Sequence, residues 1–83
     1  MGDMMKASNR ILITGATGQI GSELTMALRE RYGKENVIAM GHRRKPSEVL
    51  ESSGPYITGD VRDREKLEKI IKEYDIDTVY HMA

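Results

Sequence analysis

Ile11-Leu12-Ile13-Thr14-Gly15-Ala16-Thr17-Gly18-Gln19-Ile20-Gly21 is the stretch on which the reading of this chain turns. Three consecutive apolar residues suit a parallel strand covered on both faces. Glycines follow at Gly15, Gly18 and Gly21, and an amphipathic segment begins at once. The stretch predicts a strand over Arg10 to Thr14, a tight turn, and a helix from Gln19 to Tyr32. Such a turn seats linked phosphates. Gly15 makes the bend, Gly18 lets a pyrophosphate lie against the backbone, and Gly21 lets the helix pack on the strand. Thr17 belongs to the same loop, and Gln19 and Ile20 offer N–H groups at the positive end of the helix. The competing reading is a tight strand-to-helix connection that holds nothing.

Outward from this stretch, Ile20, Leu24, Ala27 and Leu28 recur at helical spacing and predict one buried stripe. Glu23 near the start of the helix and Arg29 and Arg31 near its end suit the dipole. Gly33 is placed to end it in the left-handed conformation. Asn36 to Met40 reads as a second strand, Gly41 to Pro46 as a basic loop, and Ser47 to Leu50 as a brief helical turn. Tyr56 to Thr58 reads as a third strand after the turn residues Ser52-Ser53-Gly54-Pro55. Asp63 is a plausible N-cap for a helix over Arg64 to Tyr74, whose Leu67, Ile70, Ile71 and Tyr74 share a face. Asp75 to Asp77 is a turn, and Thr78 to Met82 a fourth strand.

Alternation of this kind predicts an α/β fold: a half-Rossmann parallel sheet, strand order 3-2-1-4, with right-handed crossovers and helices on both faces. The order reverses beside the first strand, and open α/β sheets bind ligands in that crevice. Residues 1–9 read as a disordered tail and residues 10–83 as one dinucleotide-binding half-domain. No internal repeat or low-complexity tract interrupts it.

At 83 residues the chain has room for one domain with a thin stability margin. It has no Phe, Trp or Cys, so its core must come from aliphatic residues and the four tyrosines, and disulfides and thiolate metal sites are excluded. Lys plus Arg and Asp plus Glu stand at 13 each, so no global field draws the protein to nucleic acid or membrane. No apolar run approaches the roughly 18 residues of a membrane span, and the N-terminus lacks the apolar core of a signal peptide. A cytoplasmic protein is expected.

Candidate binding residues lie at the strand ends. About twenty residues past the glycines, such folds present the residue that meets the adenosine ribose. Here the sequence is Gly41-His42-Arg43-Arg44, without the carboxylate that suits NAD. A 2′-phosphate would meet no repulsion, and Arg43 or Arg44 could pair with it bidentately. NAD or NADP is therefore the expected cofactor, NADP slightly favoured; a solvated basic loop is the alternative. His42 has no evident partner, and no metal site is discernible. Asp60 is placed to accept the adenine amino group and Val61 to contact the ring, or both simply form a turn. His81 and Met82 end the fourth strand beside the ribose and pyrophosphate, or merely pack in the core.

These residues carry a resemblance. Thr14 to Gly21, Gly59-Asp60-Val61-Arg62-Asp63 and His81-Met82-Ala83 are similar to the N-terminal part of the extended short-chain dehydrogenase/reductase family, which includes NAD(P)-dependent sugar-nucleotide epimerases and dehydratases. Tyr32 to Ile38, Arg44-Lys45-Pro46 and Ser53 to Ile57 most resemble its L-threonine 3-dehydrogenase branch. That branch typically carries an acidic residue where Gly41-His42 stands, with an apparent one-residue insertion. The resemblance implies hydride transfer between a secondary alcohol and nicotinamide. It also implies a Ser or Thr and a Tyr-x-x-x-Lys pair downstream of Ala83, so the chain alone is expected to be inactive. A rival expectation is a truncated or engineered βαβ module that binds nothing. Either way the fourth strand would offer an open edge, and a homo-oligomer formed through it is expected.

Overall fold

The computed structural model describes residues 10–82. The expected tail, residues 1–9, lies outside the described residues, as does Ala83. The elements are β1 (Ile11–Thr14), α1 (Gln19–Tyr32), β2 (Val37–Gly41), α2 (Glu48–Ser52), β3 (Tyr56–Thr58), α3 (Arg64–Glu73) and β4 (Thr78–His81), with a 3-10 turn at Lys34–Asn36 before β2. The strands form one parallel sheet in the order β3-β2-β1-β4, as the alternation of elements predicted. Thr14 lies beside Met40 on one side and His81 on the other, so the carboxyl ends of three strands are level.

The two faces of the sheet are separate cores. Ile11, Ile13, Val37 and Ala39 face Leu50 of α2 and Leu24 and Leu28 of α1. Leu12, Ile38 and Met40 face Ile70 and Leu67 of α3. Consecutive apolar residues in β1 and β2 are thus all buried because alternate side chains serve opposite cores. Three of the tyrosines, Tyr32, Tyr56 and Tyr74, pack at the margins of these cores. Tyr80 does not; it is exposed on β4.

The caps explain the helix limits. Asp63 accepts from the Lys66 N–H and Ser47 from the Leu50 N–H. Gly33 ends α1 with φ 96°, but its ψ of 134° is extended rather than left-handed helical. Glu23 lies beyond the first turn of α1, which holds no acidic residue.

The buried line of α1 differs from the expected stripe. Gly21, Thr25 and Arg29 are buried, whereas Ile20 is 69% exposed and Ala27 is also exposed. Ile20 sits in the first turn of α1. Leu24 and Leu28 flank the buried line. Thr25 resolves its polarity by donating to the Gly21 carbonyl at 2.7 Å. Arg29 is only 4% exposed. Its guanidinium donates to the carbonyls of Val37 (3.2 Å), Leu50 (2.8 Å) and Pro55 (2.6 Å) and to the Ser53 hydroxyl (2.9 Å). One side chain thereby ties α1 to β2, to α2 and to the turn before β3. Burial pulls its pKa below the ordinary arginine value, but an arginine starting so high keeps its charge.

At the opposite end of the sheet from the glycines, Arg10 plays a similar part nearer the surface. It donates to the carbonyls of Tyr74 (2.9 Å) and Glu35 (3.2 Å) and to Asn36 Oδ1 (3.2 Å), joining the end of α3 to the turn before β2.

Candidate cofactor site

The sequence Thr14-Gly15-Ala16-Thr17-Gly18 folds as a bend between β1 and α1. Gly15 has φ 68°, a backbone that a side chain disfavours, and its carbonyl accepts the Gly18 N–H at 3.2 Å. The Ala16 N–H donates to the Met40 carbonyl at 3.1 Å, which fixes the loop over the end of β2. The first bond of the helix is Ser22 N–H to Gly18 carbonyl at 2.8 Å. The N–H groups of Gln19, Ile20 and Gly21 precede it and have no helical acceptor. Gly18, the N-cap, has no side chain to supply one.

The two glycines of this helix start differ. A Cβ on Gly21 would overlap the Gly15 carbonyl oxygen and lie 3.1 Å from Ala16 Cα. The close packing is therefore against the turn backbone rather than against the strand. A Cβ on Gly18 would meet only the Gly15 carbonyl oxygen, at an ordinary 3.5 Å. The fold demands glycine at 21; at 18 it leaves room. The absence of a side chain at Gly18 and the N–H groups without helical acceptors suit the sign of charge of a diphosphate.

The sheet brings the remaining candidates to the same end. His42, Arg43 and Arg44 are exposed on the loop after β2. Asp60 follows β3, and His42, which had no evident partner in the sequence, places Nε2 3.7 Å from Asp60 Oδ2. Arg62 grips the same carboxylate. Its side chain donates to Oδ1 at 3.1 Å and to Oδ2 at 2.8 Å, and its backbone N–H donates to Oδ1 at 2.9 Å. These bonds, the side-chain ones first, hold the Asp60 carboxyl well below the usual carboxylate range. Asp60 is thus a fixed, ionised acceptor, and its oxygens keep lone pairs for a further donor. Val61 is half-buried against the Leu12 and Ile70 core.

On the other flank, His81 Nδ1 lies 2.8 Å from Oγ1 of the buried Thr14, with the ring exposed. Met82 donates its N–H to the Thr14 carbonyl at 3.0 Å and is 38% exposed. Neither residue is packed in the core. Sequence reasoning missed one neighbour altogether. The Tyr56 hydroxyl lies against Gly41 and close to Thr17, a meeting that depends on how β2 and β3 are registered. Among the described residues, no three potential metal ligands cluster, and no helix is long and apolar enough to cross a membrane.

Comparison with known proteins agrees with this architecture. The profile of the NAD dependent epimerase/dehydratase family matches residues 11–83. A Staphylococcus epidermidis protein named as an uncharacterized epimerase/dehydratase is 45% identical over 74 residues, covering 89% of this chain and 23% of its own. The L-threonine dehydrogenase of Clostridium difficile superposes with a TM-score of 0.85 at 47% identity, over 94% of this chain and 24% of that one. The UDP-glucose 4-epimerase of Brucella ovis, solved with NAD, superposes at 0.76 over 92% of this chain and 23% of its own; at 24% identity it speaks for the fold alone. This chain therefore spans about a quarter of the length of these relatives. With its Rossmann-type sheet and its glycine turn, the chain belongs to the NAD-dependent epimerase/dehydratase family.

Proposed function

We propose that residues 10–83 bind the adenosine-pyrophosphate half of NAD or NADP. The observation that carries this reading is the room at Gly18 beneath the uncapped start of α1. The backbone N–H groups of Gln19 and Ile20 would take the diphosphate, with Gly15, Thr17 and Gly21 shaping the loop around it. Asp60 would accept the adenine amino group, Val61 would lie against the ring, and His81 and Met82 would border the ribose and pyrophosphate. When bound, the nicotinamide would accept or return the hydride of a secondary alcohol, as in an L-threonine dehydrogenase or a sugar-nucleotide epimerase. In this reading the chain binds nucleotide in the cytoplasm and by itself turns over neither threonine nor a UDP-sugar.

Gly41 brings no carboxylate to repel a 2′-phosphate, and Arg43 and Arg44 follow on an exposed loop, so NADP is the favoured form. Calorimetric titration of the 83-residue chain with NAD, NADP and ADP-ribose tests the reading. The expected result is binding of all three, NADP the tightest, with Arg43→Ala and Arg44→Ala lowering NADP affinity roughly tenfold and leaving NAD within about twofold. Absence of binding by every nucleotide defeats the proposal; equal losses for NAD and NADP defeat the preference.

A homo-oligomer belongs to the same reading. Among the described residues β4 borders β1 alone, and it exposes Val79 (47%) and Tyr80 (38%). An open strand edge of this kind pairs readily with a second strand. Sedimentation velocity on the chain should show a dimer or larger species that dissociates on dilution; a monomer at high concentration contradicts it.

A further inference from the structure

The end of β2 holds an arrangement that neither glycine spacing nor charge pattern announces. A Cβ on Gly41 would overlap the Tyr56 hydroxyl, and it would lie 2.7 Å from Thr17 Cγ2 and 3.1 Å from Tyr56 Cζ. The phenol thus fills the space a side chain at position 41 would take, next to the glycine loop. Strand register explains how it gets there. Tyr56 pairs with Ala39, two residues before the pairing of Gly41 with Thr58. Strands rise about 3.3 Å per residue, so two residues are close to the reach of a phenol laid along the sheet. Alternate residues share a face, and the ring packs in the same core as Ala39 and Leu50.

Resting on the nucleotide-binding reading above, we propose that the Tyr56 hydroxyl is the group at the end of β2 that meets the adenosine ribose, whether it carries a 2′-hydroxyl or a 2′-phosphate. A hydroxyl both donates and accepts. It bonds to a sugar hydroxyl in either sense and donates to a phosphate oxygen without repulsion. Burial raises the pKa of this phenol above the ordinary tyrosine value, with Glu51 adding to the rise and a hydrogen bond with Thr58 opposing it, so it stays a neutral O–H donor at physiological pH. A chain built this way accepts both cofactors at this position, and Arg43 and Arg44 add to the preference for the phosphate.

The test compares the chain with Tyr56→Phe, titrated calorimetrically with NAD, NADP and inorganic pyrophosphate. The variant keeps the ring in its core, so its melting temperature should stay within a few degrees of the parent. NAD affinity should fall about three- to tenfold and NADP affinity further, because its acceptor is charged. Pyrophosphate affinity should not change. Equal dinucleotide affinities in parent and variant overturn the proposal, as does a pyrophosphate loss as large as the NAD loss. A parent that binds no dinucleotide fails earlier, at the nucleotide-binding reading, and takes this assignment with it. A ligand-free measurement tests the placement itself. Gly41→Ala should lower the denaturation midpoint, and adding Tyr56→Phe should recover part of the loss; strictly additive effects would put the hydroxyl elsewhere and overturn the proposal.

Discussion

Arg29→Leu should remove a large fraction of the folding stability of the molecule. Among the described residues, this guanidinium alone reaches the carbonyls of Val37, Leu50 and Pro55 together, and it also serves the Ser53 hydroxyl. Leucine would fill part of its volume and satisfy none of these acceptors. Each buried polar group left without a partner costs about 1–3 kcal/mol. The Pro55 carbonyl keeps the Ala39 N–H and the Leu50 carbonyl keeps the Ser53 hydroxyl, so the expected loss is about 2–4 kcal/mol. A domain of this size has on the order of 4–12 kcal/mol in total, so the loss is a large fraction of it.

Burying a charge has its own cost, and some buried ion pairs are replaced by apolar residues without penalty. That escape is closed here, because the acceptors are backbone carbonyls that no single substitution removes. Arg29→Lys should be nearly as damaging. An ammonium keeps the charge, but it has three donors on a single atom, while these acceptors are spread around a planar fork. Urea denaturation followed by circular dichroism measures both variants, with an expected fall in midpoint of about 1–3 M. A midpoint for Arg29→Leu within about 0.3 M of the parent would show that the arginine is not what joins α1, α2 and β2.

Much of this fold is legible from short-range signals. Gly15 and Gly33 bracket α1, Asp63 opens α3, and alternating elements leave few parallel topologies. The role of Arg29 is hidden for the opposite reason. A periodic pattern assigns charge to the outer face, and nothing near Arg29 in sequence reveals acceptors 21 and 26 residues away. The same bias turned the stripe of α1 toward Ile20 and Ala27 and away from Gly21 and Thr25. At the site, the glycine loop was legible because its chemistry is local. The contact of His42 with Asp60 and that of Tyr56 with Gly41 each join two strand ends, and only the register of β2 against β3 brings them together.

Gly21→Ala and Gly18→Ala should separate folding from binding within four residues. At Gly21 a methyl group overlaps the Gly15 carbonyl oxygen, which is backbone held by the positive φ of Gly15 and by the Gly18 N–H. Relief requires α1 to lift away from the loop and from Ile13 and Ala16 beneath it. Overpacking of a rigid contact costs about 1–3 kcal/mol and occasionally more, and the upper end is expected here. For a domain of this length that is a fall in melting temperature of more than about 10 °C. Gly18 is at φ −71° and ψ 168°, a conformation open to any residue, and its methyl group would meet only an ordinary 3.5 Å contact. Its stability should stay within about 0.5 kcal/mol of the parent. The methyl group would instead intrude where a diphosphate must approach the N–H groups of α1, and affinity for NAD, NADP and ADP-ribose should fall at least tenfold, or about 1.4 kcal/mol. Full affinity in a well-folded Gly18→Ala variant would move the anion away from this helix start. A large loss of stability in that variant would mean that glycine at 18 serves the fold, leaving its open flank no longer a reason to expect a nucleotide there.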